Sequence, residues 1–182
     1  MNPGPLALFS YGGPQVSTER SAEFYRKYPE CPRPAPLDRL ALPLKRELAE
    51  AIVAGTKTVE FREVKPHYSS RILDKRVMAW RDLHDQDSSI SDEEYECADP
   101  IRQVRTIHFY DYNGTWFLDV AIKRTGLITI TESDIRMLQR DFGCHDYDED
   151  PARLAAMGIP ESERPALFYF AIDKVISFRS NE

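Results

Sequence analysis

Three charged side chains of complementary type, Lys57, Glu60 and Arg62, fall within six residues, directly after Gly55. An ammonium, a carboxylate and a guanidinium so close together can hold one polar ligand between them, or Glu60 and Arg62 can pair with each other. A lysine beside a carboxylate in a cleft serves as a contact to a phosphate or carbonyl oxygen. Desolvated, it serves instead as a base or nucleophile. The candidate ligand-binding set is Gly55, Lys57, Thr58, Glu60, Arg62 and Lys65, with Trp80 further along as a stacking surface for a base. Should the site turn over a substrate, Lys57 is the nucleophile or base and Glu60 the proton carrier. Alternating charges of this kind also describe an ordinary solvated strand face.

These residues need a helix and a strand to position them. Leu44, Leu48, Ala51 and Ile52 recur at helical spacing, which predicts an amphipathic helix over 45–54 after a short strand at 40–44. Gly55 then stands where a left-handed residue closes a helix. From Lys57 to Arg62 polar and apolar residues alternate, the period of a strand. Val59 and Phe61 point one way, Thr58, Glu60 and Arg62 the other. Lys57 joins the first group if the strand has begun there, and otherwise belongs to the turn. A short helix is expected from Pro66 to about Leu73, then a strand from Arg76 to Leu83 carrying Trp80. An acidic loop is expected near 85–99. Further strands are expected at 104–112 and 116–130, joined by the hairpin signal Asn113-Gly114, with Gly126 marking a bulge or break. A helix from Thr131 to about Gly143, an acidic loop to Pro151, a short helix closed by Gly158 and a last strand at 166–178 complete the order. The fold class this implies is α+β, a small mixed β-barrel decorated by short helices.

The segment Gly55-x-Lys57-x-x-Glu60-x-Arg62, entered from a helix and leading into a strand, resembles the hallmark of the ASCH family. The following Arg62-Glu63-Val64-Lys65-Pro66 resembles small bacterial and phage members. The resemblance implies a PUA-like barrel whose cleft is lined by the motif. It also implies a role in binding single-stranded RNA, a nucleotide or a nucleoside in a basic cleft. Some members are hydrolases. One group cleaves the acyl amide of N4-acetylcytidine with the motif lysine, a threonine and a glutamate, and another is ribonucleolytic. In the amidohydrolase group the threonine stands where this chain has Glu60, so the alternative activity here would rest on Lys57 and Glu60.

Composition bounds the rest. The 182 residues carry a net charge of −6, which argues against wrapping long duplex nucleic acid. The charge is uneven. Ten Lys or Arg against five acids lie between Arg39 and Arg81, whereas 82–100 holds eight acids and no Lys or Arg. Residues 1–37, rich in Pro and Gly, are expected to form an arm packing through Phe24, Tyr25 and Tyr28, with a helix from about Thr18 to Lys27, before a domain at 38–182. A third functional reading is a protein-interaction adaptor using this arm and the acidic loops. Cys31, Cys97 and Cys144 make no disulfide framework, and neither a cofactor nor a metal is expected. Tyr68, Tyr110, Tyr112 and Trp116 are further stacking candidates. His67 is a candidate acid or base, and His108 a structural residue. No secretory signal or membrane span is apparent, so a cytoplasmic location is expected.

Overall fold

The structure is a computed structural model that describes residues 16–181. The elements in chain order are α1 (Thr18–Lys27), β1 (Leu37–Pro43), α2 (Arg46–Val53), β2 (Val59–Glu63), α3 (Pro66–Ile72), α4 (Lys75–His84), α5 (Asp92–Cys97), β3 (Val104–Tyr110), β4 (Trp116–Ile128), α6 (Glu132–Phe142), α7 (Asp150–Ala156) and β5 (Leu167–Ser180). The five strands form one sheet in the order β1-β3-β4-β5-β2. The β1–β3 pair is parallel and the others are antiparallel.

The sheet is strongly curled. Laid flat, its two edge strands would lie about 19 Å apart at the usual strand spacing, further than one side chain reaches. Yet Arg62 on β2 donates from Nη2 to the carbonyl of Pro43 on β1 at 2.6 Å. Arg71 of α3 adds a 3.4 Å bond to the Ala41 carbonyl. The two arginines thus satisfy acceptors on the outer edge of β1, where a strand partner is missing. The curl has a visible cause: β4 and β5 are 13 and 14 residues long, and their pairing slips register between Asp119 and Arg124. Such irregularities bend and coil long strands. The fold is therefore α+β, a mixed half-barrel with short helices around it.

Alternation along the strands gives the sheet two faces. The inner face carries Leu40, Leu42, Ile107, Phe109, Leu118, Val120, Phe168 and Phe170, a single buried core. The outer face of β2 and of one half of β4 and β5 carries Val59, Ile128, Leu167, Tyr169 and Ala171. With Ile135 and Leu138 of α6 these make a second core. Gly126 lies in regular pairing with Tyr169 rather than at the expected break. A Cβ there would meet the Tyr169 ring at 2.4 Å, so glycine is required to let the ring lie across the strand.

Two expectations are corrected by a third cluster. The segment expected as a strand, 76–83, is helix α4. Asp74 caps it, its side chain accepting from the Arg76 N–H at 3.0 Å. The buried residues Val77, Trp80 and Arg81 follow helical spacing. The acidic stretch 85–99 is not simply a loop. It contains α5, opened by a capping box of Ser91 and Glu94. The described part of the arm packs on both: Phe24 and Cys31 are buried with Val77, Trp80, Ile90 and Cys97, and Tyr28 donates to Glu94 at 3.2 Å. The arm, α4 and the acidic stretch thus form one helical lobe. The arm's first fifteen residues lie outside the described region. All three cysteines are free and buried.

Candidate functional site

Lys57 owes its position to the turn after α2. Gly55 takes φ +76°, the left-handed conformation. The chain then folds back so that the N–H groups of Thr56 and Lys57 both donate to the Ala51 carbonyl, at 3.0 and 3.1 Å. Lys57 is therefore a turn residue, and β2 begins at Val59. Thr58 continues the ladder through its carbonyl, which accepts from the Ile172 N–H at 2.9 Å.

Glu60 and Arg62 share the inner strand face, as alternation requires. They sit at the rim of the main core, where the half-barrel is open. The Glu60 side chain is only 6% exposed, and those of Lys57 and Arg62 are each 12% exposed. Arg62 pairs with Glu60 Oε1 through Nη1, which also donates to the Phe61 carbonyl at 2.7 Å. Lys57 Nζ lies 3.4 Å from Glu60 Oε2, yet that buried oxygen receives no hydrogen bond. Charges withdrawn from water in this way have to be matched, and Lys57 has a second counter-ion, Asp146 at 3.0 Å.

Asp146 is the residue that the sequence did not point to. It lies 89 positions away, in the acidic segment between α6 and α7 that was expected to be a solvated loop. Its neighbour Tyr147 packs edge-on to Phe61 at 4.9 Å, and this contact holds the segment against β2. Burial, helped by the charges of Asp146 and Glu60, pushes the Tyr147 phenol up, so its hydroxyl remains a proton donor. An aromatic inside an otherwise acidic run was the available signal for an anchored loop.

Two cations and two carboxylates make this cluster close to neutral. The basic excess counted between Arg39 and Arg81 is largely committed elsewhere. Arg46 pairs with Glu50 at 2.9 Å, Lys65 with Glu63 at 2.5 Å, and Arg76 with Asp74 at 2.8 Å. Arg81 donates to the carbonyls of Tyr95 and Ala98. The Asp74–Arg76 contact, with the cap bonds, holds the Asp74 carboxyl well below the usual carboxylate range.

Beside the cluster is a recess of about 280 Å³ lined by Phe61, Arg62, Glu63, Lys65 and Tyr68. Ligand pockets start at about 300 Å³, so it suits one small ring system rather than an extended strand. Of the stacking candidates, Tyr68 lines this recess. Trp80 does not: it is 5% exposed and packed edge-on to Phe24 and Tyr28 in the helical lobe, with His84 stacked on it at 4.2 Å. Trp80 is thus a core residue of the helical lobe and not the expected ligand platform, because its segment is a helix and not a strand. Trp116 is also buried, in the main core. His67 is exposed in the first turn of α3, and His108 is bonded to Asp119 at 2.8 Å. A larger groove of about 1560 Å³ runs between the helical lobe and α6 and includes neither Lys57, Glu60 nor Arg62. Among the described residues no helix is long and apolar enough to cross a membrane.

No family model matches the chain, and the search of curated proteins finds no match. Among solved structures, the crystal structure of a mutant of the ZmASCH protein from Zymomonas mobilis is similar at 15% identity and a TM-score of 0.37. The match covers 79% of this chain and 75% of that one.

Proposed function

We propose that the rim site around Lys57, Glu60 and Arg62 binds a nucleoside, or one unpaired nucleotide of an RNA strand, as an ASCH-type domain would. One observation carries the reading: Glu60 is buried with Oε1 paired to Arg62, while Oε2 lies 3.4 Å from the Lys57 ammonium and receives no hydrogen bond. An unsatisfied buried acceptor is costly, and the exocyclic amine or ring N–H of a base is the donor that would relieve it. The near-neutral charge of the cluster supports a neutral base in place of a phosphate as the group recognised. Tyr68 in the adjoining recess supplies a ring face for it. Gly55, Thr58 and Lys65 act at the margins: the first aims Lys57, the second extends the strand, and the third stays exposed.

The alternative of hydrolysis by Lys57 and Glu60 is less well supported. The Lys57 ammonium is held between Glu60 and Asp146, which suits a cationic contact. A nucleophile would first have to leave both carboxylates.

Calorimetry with a panel of nucleosides and their 5′-monophosphates, with products followed by mass spectrometry, tests the reading. At least one nucleoside is expected to bind, with its monophosphate no tighter. Glu60→Gln should weaken binding roughly ten- to hundredfold, the worth of one charged hydrogen bond. Failure of every nucleoside to bind the wild type would sink the proposal. Product formed by the wild type and not by Lys57→Ala would replace it with the hydrolase.

A further inference from the structure

The outer face of the sheet does not end where α6 and α7 stop covering it. Beyond the register slips in β4 and β5 it continues across all of β1 and β3, and there it is bare. Pairing aligns its side chains in rows. Pro43, Tyr110, Phe117 and Arg179 form one row, Ala41, His108, Asp119 and Ser177 the next, and Arg39, Thr106, Ala121 and Lys174 a third. All twelve are half-buried or exposed, while their neighbours on the inner face are core.

The rings form a continuous patch. His108 lies 5.4 Å from Phe117 and, nearly parallel, 6.1 Å from Tyr110. Tyr112, 85% exposed, meets Tyr110 edge-on at 6.1 Å. The Arg179 guanidinium lies 5.6 Å from the Phe117 ring centre. The acid within the rows, Asp119, is occupied: it accepts from Ser177, pairs with His108 and has Arg39 at 3.5 Å. Among the described residues no ion pair engages Lys174 or Arg179. A protein of net charge −6 therefore presents one sheet face where cations outnumber acids and ring faces lie open between them.

We propose that this bare half of the sheet is a second site, which takes a short stretch of single-stranded nucleic acid. Bases stack on Tyr112, Tyr110 and Phe117, while Arg39, Lys174 and Arg179 meet the phosphates. Stacking on aromatics tolerates any base, and cations at the margin track the backbone. Three rows of a twisted sheet match roughly two or three successive bases. The face lies on other strands than the Lys57 cluster and stands or falls independently of the nucleoside reading.

Fluorescence anisotropy of the full chain with a short labelled RNA, and with DNA of the same sequence, tests it. The wild type is expected to bind with a log–log salt slope of about −2, as for three phosphate contacts on a single strand. Tyr112→Ala, at a surface position, should weaken binding roughly tenfold. Phe117→Leu, which keeps an apolar side chain and removes the ring, should do the same, and Leu83→Ala, at an exposed position on α4, should change nothing. Equal affinity for RNA and DNA supports stacking alone; tighter RNA supports stacking plus contacts to the 2′-hydroxyl. The proposal is overturned if the wild type binds neither strand. It is equally overturned if both ring variants bind like the wild type.

Discussion

One sheet face is used in two ways. Where α6 and α7 lie over it, β2, β4 and β5 place Val59, Ile128, Leu167, Tyr169 and Ala171 outward, and a second core forms. Further along the same β4 and β5, the outward positions hold Phe117, Asp119, Ser177 and Arg179, and no second core forms. Alternation obliges every second residue to point outward in both halves. The difference lies in what the chain does next: β4 runs straight into α6, which folds back over the near half, and nothing equivalent follows β3. Aliphatic residues under a helix gain burial. Rings mixed with charges and left half-exposed gain little stability and remain available for contact.

The sharpest way to break this comparison is to truncate a large side chain in each half. Leu138 of α6, 1% exposed against the covered half, is expected to cost about 3 kcal/mol as Leu138→Ala. Tyr110→Ala in the bare half is expected to cost less than about 1 kcal/mol. Urea unfolding of the two variants checks both. A loss of equal size from each would mean that the bare half is stabilised as a core is. A smaller effect is expected from Gly126→Ala, about 2 kcal/mol, because the new methyl would meet the Tyr169 ring carbons. Combining it with Tyr169→Leu should recover part of that loss. No recovery would place the cause in the backbone and not in the ring.

Much of this arrangement was legible in sequence because it is local. Thr131, Gly143 and Gly158 mark helix ends where the structure puts them, and Asn113-Gly114 turns the β3–β4 hairpin. The Gly55–Arg62 segment gave a helix, a left-handed turn and a strand with Glu60 and Arg62 on one face. Three things were lost. Val77 and Ala79 alternate like a strand, which hid the i, i+3, i+4 spacing of Val77, Trp80 and Arg81 and the cap at Asp74. The Ser91–Glu94 capping box lies inside an acidic run, where the density of charge masks the spacing that opens α5. The Lys57–Asp146 pair and the bare rows depend on β-pairing and on chain return over many residues, for which one sequence carries no local signal.

The smallest expected effect concerns the helix that distinguishes the two halves. Asp134, in the first turn of α6, is 9% exposed. It accepts from the Thr129 N–H at 2.9 Å and from the Thr129 hydroxyl at 3.3 Å. Burial outweighs these bonds and pushes its carboxyl up. A carboxyl whose pKa is higher in the folded state than in the unfolded state binds more protons when folded, so stability falls as pH rises. The loss begins near the unfolded carboxylate value, about 3.9, and is complete above the folded one. Asp134→Asn keeps an acceptor for the Thr129 N–H and cannot ionise. The variant should therefore gain on the wild type as pH rises through that window and hold a constant advantage near neutrality. Thermal unfolding of both proteins from pH 3 to 7 measures it. Parallel curves would mean that the Thr129 bonds compensate fully for burial, and that covering this half of the sheet places no electrostatic cost on α6.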